Sequence, residues 1–202
     1  MNNKVYDEAT LARIQKVELE MLKDFDALCK KHGIEYFAVG GTAIGCVRHK
    51  GFIPWDDDID LGFLRPDFEK FIEFAEEEYG DKYSILNFEK DEKYPLMTTR
   101  WVKNGTIFLE ECFKDLDCNF GIFLDLYPFD NIPDDDKLAK KQCFWAWFWG
   151  KWMILKSVNN PVLYQTGVAA ALIRFVTVCG NAVLRLLRVS PRIFYKKAMK
   201  HV

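Results

Sequence analysis

Apolar residues Leu11, Ile14, Val17, Met21, Leu22, Phe25 and Leu28 recur at spacings of three and four, and Gly33 stands where the pattern stops. That period predicts an amphipathic helix over residues 10–32. Residues 34–39 form a short apolar and aromatic run that ends on Gly40 and Gly41. Residues 58–63 alternate polar and apolar before Pro66 opens a second helical pattern that ends at Gly80. Both segments read as strands that lead into helices. Residues 82–88, 98–103, 106–110 and 121–127 are further strand candidates, with Asn104 and Gly105 offering a hairpin turn between the second and third. Beyond Pro133 the pattern turns helical and aromatic through Trp145, Trp147, Trp149 and Trp152, and an apolar stretch over 167–187 is interrupted by Arg174 and Arg185.

The acidic turn at 133–136 suits an exposed connection and a helix start. It divides the chain into an α/β catalytic unit over 1–136 and a helical, aromatic-rich region over 137–202. At 202 residues, half of them hydrophobic, the chain is long enough for one substantial core and a small helical addition. A net charge of -2, from 28 basic and 30 acidic residues, gives no electrostatic footprint for nucleic acid. Any anionic ligand must then be held by local groups or by metal. The first residues carry no apolar leader segment, so a cytoplasmic location is the default expectation. The cysteines at 29, 46, 112, 118, 143 and 179 show no C-x-x-C pair, a pattern that favours reduced thiols over disulfides or structural zinc.

Candidate chemistry sits between the first two strands. Asp58 and Asp60 are two apart, so on a strand their side chains share one face while Ile59 and Leu61 point to the other. Two such carboxylates repel unless a cation lies between them, and hard oxygen ligands suit magnesium or manganese. Asp125, between Leu124 and Leu126 in an apolar strand, costs stability unless its charge meets a metal or a partner. It is the best third ligand. The turn Gly40-Gly41-Thr42 follows a strand and opens a helix, and backbone N–H groups there can cradle a phosphate.

The segment from Gly40-Gly41-Thr42 through Arg48-His49-Lys50-Gly51-Phe52-Ile53-Pro54-Trp55-Asp56-Asp57-Asp58 to Ile59-Asp60 resembles the signature of the LicD family of phosphocholine transferases, related to fukutin-type ribitol-phosphate transferases. Supporting pieces are Lys31-His32-Gly33-Ile34 and the run from Gly121 through Asp125 to Asp130. The resemblance covers roughly residues 10–136. It implies a nucleotidyltransferase-like α/β (α+β) fold, a mixed sheet with flanking helices followed by a helical C-terminal region. It also implies a CDP-activated alcohol donor, CDP-choline being the first choice, and a glycan or teichoic-acid acceptor. On matching positions Asp58, Asp60 and Asp125 would bind Mg2+ or Mn2+, with Asp56 a fourth acidic contact, and Gly40, Gly41 and Thr42 would hold donor phosphate. Family members continue past the helical region into a tail that is not recognised here, so the chain is expected to be either a fragment or a shortened member.

Among the neighbouring residues, Arg48 is the choice for neutralising charge on the transferred phosphate, since a guanidinium binds phosphate in bidentate fashion. His49 either acts as an acid or caps the loop, Lys50 is a further cation, and Trp55 either stacks on the donor or packs the loop against the core. Arg100 either binds ligand or pairs with a structural acid. Asp125 is the choice for the base that takes the acceptor proton. The tryptophans near 145–152, with Lys140, Lys141, Lys151 and Lys156, suit either a buried helical core or peripheral contact with the inner face of a membrane. Arg174, Asn181 and Arg185 argue against a lipid-exposed spanning helix.

Overall fold

The computed structural model describes residues 7–158 and 167–202, so the first six residues, read above for a leader, lie outside the described part. The chain divides into two compact units. The first gathers Met1–Leu86, Thr98–Phe108 and Asn119–Asp130, and the second gathers Asn87–Met97, Leu109–Cys118 and Asn131–Val202. Two segments from between the strands thus group with the helical region.

In the first unit, α1 (Glu8–His32) begins at Asp7, whose carboxylate accepts the Thr10 N–H at 2.9 Å, and ends at Gly33 with φ +60°. An N-cap carboxylate and a left-handed glycine satisfy orphan groups at the two helix ends. Its buried stripe of Ile14, Met21, Phe25 and Leu28 is the one the apolar period predicts. The sheet contains β1 (Phe37–Ala38), β2 (Asp60–Leu64), β3 (Tyr83–Leu86), β4 (Thr99–Lys103) and β5 (Phe123–Phe129), in the order β1-β2-β5-β4-β3. β2 and β5 run parallel and the other pairs antiparallel, which gives the mixed sheet expected of the α/β class. Two further helices, α2 (Gly40–Arg48) and α3 (Arg65–Tyr79), follow β1 and β2. Phe25 and Phe71 meet at 4.6 Å between ring centroids, and Phe71 and Trp101 at 5.6 Å edge to face, so α1, α3 and the sheet share one aromatic core. The end of the sheet is fixed where the Arg65 guanidinium grips Asp130 through two nitrogens at 2.7 and 2.5 Å.

The strand expected over 106–110 does not form. β4 already has β3 on one side and β5 on the other, so the hairpin partner offered by Asn104 and Gly105 has no free edge to join. Thr106 instead donates its hydroxyl to the Lys103 carbonyl and accepts the Ile122 N–H, turning the chain away from the sheet.

The second unit contains α4 (Asp136–Ser157), α5 (Gly167–Leu186) and α6 (Pro191–Ala198). α4 starts in the acidic turn as expected, with the Asp135 carboxylate accepting the Lys137 and Leu138 N–H groups at 2.9 Å each. Its tryptophans divide between the two readings. Trp149 and Trp152 pack on a core of Phe88, Met153, Leu184 and Phe194, whereas Trp147 is 59 % exposed. No helix among the described residues is long and apolar enough to cross a membrane.

Candidate metal centre and active site

Strand order brings together what the sequence holds apart. Asp60 on β2 lies directly opposite Asp125 on β5, and Asp125 lies opposite Arg100 on β4. Residues in register across neighbouring strands share a face, so the three side chains form a row across the middle of the sheet. Asp58, two residues before Asp60, completes the group: carboxylate oxygens of Asp58, Asp60 and Asp125 all lie within 4.8 Å of one another. All the donors are hard oxygens at a spacing one small cation can bridge, so the residues fit magnesium or manganese.

The electrostatics follow from that crowding. Burial, then the charges of Asp60 and Asp56, push the Asp58 carboxyl up to about 7. Asp56 is also raised, by burial and then by Asp57 and Asp60. Asp60 is raised by burial, against which hydrogen bonds from Tyr127 and the Gly41 N–H stabilise its charged form. Asp125 is 7 % exposed, and its Oδ1 accepts the Arg100 Nε at 3.2 Å. Arg100 therefore pairs with an acid, the second of its two sequence readings, and also stacks 3.7 Å over the Phe123 ring.

The Gly40-Gly41-Thr42 turn is built around these acids. A Cβ on Gly40 would come within 2.7 Å of Asp60 Oδ2, and one on Gly41 within 2.7 Å of Asp56 Oδ2. Gly40 also has φ +55°, a left-handed backbone that favours glycine. The Thr42 hydroxyl accepts the Asp60 N–H at 2.8 Å, tying the start of α2 to β2. The turn thus sets the carboxylates in place at the N-terminus of α2.

Arg48, His49, Lys50 and Trp55 are exposed. The His49 N–H caps α2 by donating to the Gly45 carbonyl at 2.8 Å, and Lys50 takes φ +60° before Gly51. Trp55 is 76 % exposed, which removes the second of its two readings, packing of the loop against the core: the Ile53 carbonyl accepts the Asp56 N–H at 2.9 Å in a tight turn around it. Gln15 Nε2 donates to the Asp56 carbonyl at 2.8 Å and fastens that loop to α1.

Two residues escaped the sequence reading. Tyr127 lies two residues after Asp125 on the same face of β5 and donates to Asp60, and burial, then Asp125 and Asp60, raise its phenol. Glu18 is 1 % exposed on α1, and its Oε2 has no hydrogen-bond partner. Burial and the charges of Asp58, Asp57, Asp56 and Asp125 push its carboxyl up to about 9. With its carboxyl raised that far, Glu18 is protonated at neutral pH and adds a neutral acid, not a further negative charge, beside the carboxylate cluster. Its sequence signal is its place between Ile14 and Met21 on the core-facing stripe of α1.

Residues 33–149 match the family model described as LicD/FKTN/FKRP, nucleotidyltransferase domain. The chain is 34% identical over 133 residues to the lipopolysaccharide cholinephosphotransferase LicD of Haemophilus influenzae, covering 64% of this chain and 48% of that protein. An uncharacterised protein of Rickettsia typhi is 44% identical over 145 residues, covering 59% of this chain and 47% of the relative. The human ribitol 5-phosphate transferase FKRP is 46% identical over 35 residues, 17% of this chain and 7% of its own length. The chain spans about half the length of the first two relatives. No solved structure matches the chain. With a family match over more than half its residues, the chain belongs to the LicD/FKTN/FKRP nucleotidyltransferase-domain family.

Proposed function

We propose that this chain transfers a phospho-alcohol group, phosphocholine first among the candidates, from a CDP-activated donor to a hydroxyl of a cell-surface glycan or teichoic-acid precursor. The observation that carries the reading is the in-register pair Asp60 and Asp125, joined by Asp58 beside the glycine turn. The Haemophilus relative, named for cholinephosphate transfer to lipopolysaccharide, supports phosphocholine as the group moved.

In this reading Asp58, Asp60 and Asp125 hold Mg2+ or Mn2+, with Asp56 in reach of the same charge, and the bound ion supplies neutralisation of donor diphosphate and polarisation of the transferred phosphoryl group. Gly40, Gly41 and Thr42 keep Asp60 in place and line the seat of the donor phosphate. Arg48, with His49 and Lys50 beside it, answers charge on the phosphate, and the exposed Trp55 offers a ring for the cytosine or the head group. The acceptor oxygen forms a new bond to the phosphocholine phosphorus, the bond from that phosphorus to CMP breaks, and CMP leaves with the electron pair. Sequence favours Asp125 for the acceptor proton. Asp125 Oδ1 already accepts the Arg100 Nε, and Asp58, less buried, is the alternative proton acceptor. The proposed location is the inner face of the membrane, where lipid-carried precursors are at hand.

A thermal-shift screen with CDP-choline, CDP-ribitol, CDP-glycerol and CDP-ethanolamine in the presence of Mg2+ tests the donor class, since a ligand selective for the folded state raises its stability. The expected result is stabilisation by one CDP-alcohol, lost in Asp60→Asn, with CMP released when an acceptor glycan is added. The family description as a nucleotidyltransferase favours one rival: release of pyrophosphate from CTP, with no response to any CDP-alcohol, would replace transfer of a phospho-alcohol by transfer of a nucleotidyl group.

A further inference from the structure

The second unit leaves a long apolar surface uncovered. On α5, Val168, Leu172, Phe175, Val176, Val183 and Leu186 are all exposed, from 53 % to 87 %. Their spacing of three, four and seven places them on one stripe along the full length of the helix. The opposite stripe carries Thr177, Gly180, Asn181 and Leu184, and it is the side that packs on α4: Leu184 is buried in the core, and Asn181 Nδ2 donates to the Leu155 carbonyl at 2.6 Å. Arg174 and Arg185, eleven residues apart, share one flank between the two stripes.

Charge says what kind of surface covers the outer stripe. Residues 137–202 hold twelve Lys and Arg and not one Asp or Glu, in a chain whose net charge is -2. Lys156 at the end of α4 has its ammonium lowered by burial and then by Arg185, so two positive groups of this region lie close together. A second copy of the chain would bring the same cations face to face and raise their repulsion. A bilayer surface rich in anionic lipid answers both features, because apolar side chains enter the acyl boundary while flanking arginines extend to the phosphates.

We infer that α5 lies in the plane of an anionic membrane and docks the chain there through its outer stripe, with Arg174 and Arg185 at headgroup level. This deepens the membrane location proposed above and moves the contact from the tryptophans of α4, half of which pack inward, to α5. It rests on that location but not on the donor chemistry. Transfer to a soluble acceptor can survive the loss of docking, and docking can survive the loss of transfer.

Flotation of the 202-residue chain with phosphatidylcholine vesicles, with and without phosphatidylglycerol, tests the inference. The expected result is flotation with phosphatidylglycerol vesicles only, weakened by high salt. Leu172→Glu with Phe175→Glu lowers the bound fraction on the order of a hundredfold, since two apolar side chains leave the acyl boundary and two repelling charges arrive. Arg174→Gln and Arg185→Gln each lower it about fivefold and reduce its salt dependence. CDP-alcohol stabilisation stays unchanged in all of them, which shows that the fold and donor site are intact. Absence of flotation, or binding to neutral vesicles that ignores these substitutions, overturns the inference. So does a dimer by light scattering that Leu172→Glu with Phe175→Glu dissociates, which assigns the stripe to a second copy.

Discussion

The two units break the usual rule of apolar inside and charged outside in opposite directions. The first buries acids: Glu18 and Asp125 are nearly inaccessible, and Asp58 and Asp60 are half-buried beside them. The second exposes apolar residues along α5 while its last 66 residues lack any carboxylate. Each departure is unfavourable for the isolated chain, by desolvation in the first case and by hydration of apolar surface in the second. A sequence keeps such terms where binding removes them. The contrast therefore supports the cation and anionic donor proposed for the first unit and the lipid surface proposed for the second.

The sharpest way to break this contrast is to remove the acids that justify it. Asp58→Asn and Asp60→Asn each keep side-chain volume while deleting a metal-binding charge, and each is expected to lower transfer about a thousandfold, roughly 4 kcal/mol of barrier. The metal-free variants should melt at or above the parent, since a repelling charge is gone. Activity within about tenfold of the parent would end the metal assignment. Next in size is Arg100→Met. It leaves Asp125 buried without its guanidinium, and removal of one partner from a buried pair costs about 3–5 kcal/mol, read by urea unfolding. A loss under about 1 kcal/mol would show that Asp125 is held by other groups.

Much of this was legible from residues alone. The apolar period located α1 and its core stripe, and the Asp-x-Asp spacing with a third acid in an apolar strand identified the carboxylates that converge. Strand order was not legible, because β2 pairs with β5 across a long stretch of chain and no local pattern encodes that partnership. The missing strand at 106–110 has the same origin: propensity permits it, but both edges of β4 are taken. Of the two readings of Trp55, packing against the core is the one its exposure removes: an aromatic ring in a loop is ordinarily held by packing, whereas here backbone hydrogen bonds hold the loop. Glu18 was legible in principle as a charge on an apolar stripe, and its meaning emerged only when α1 was placed near the acids.

The buried acids also predict a pH dependence that the second unit does not share. Glu18 rises from an ordinary 4.5 to about 9, and Asp58 from 3.8 to about 7, both through burial first and neighbouring carboxylates second. Between those limits the folded chain binds more protons than the unfolded one. The contribution of these two groups to the stability of the metal-free protein is then fully present below the ordinary carboxylate values and is lost as pH rises through about 7 and toward about 9. Melting temperature without metal should fall by several degrees across that window, and Glu18→Gln should flatten the slope at its upper end. Magnesium should oppose the fall, since a bound cation stabilises the charged forms. A metal-free melting temperature that rises from pH 5 to pH 9 would contradict the burial of these acids.

The smallest effect tests whether α5 is held by its inner face, which the contrast requires if its outer face is to remain available. Asn181 Nδ2 lies 2.6 Å from the Leu155 carbonyl and 3.3 Å from that of Lys156, two groups at the end of α4 that lack partners within the helix. Asn181→Leu keeps the branched shape and removes the donor, so the Leu155 carbonyl loses this partner at a cost of about 1–3 kcal/mol. Hydrogen exchange of α5 amides should accelerate by about tenfold or more, while exchange in β2 and β5 stays at the parent rate. Vesicle binding should weaken too, although no residue of the outer stripe has changed, because a helix less firmly placed gives up more conformational freedom on docking. Unchanged exchange in α5 would mean that packing of Leu184 and the close approach of Gly180 to Leu155 suffice to hold it, and that the asparagine contributes no anchoring.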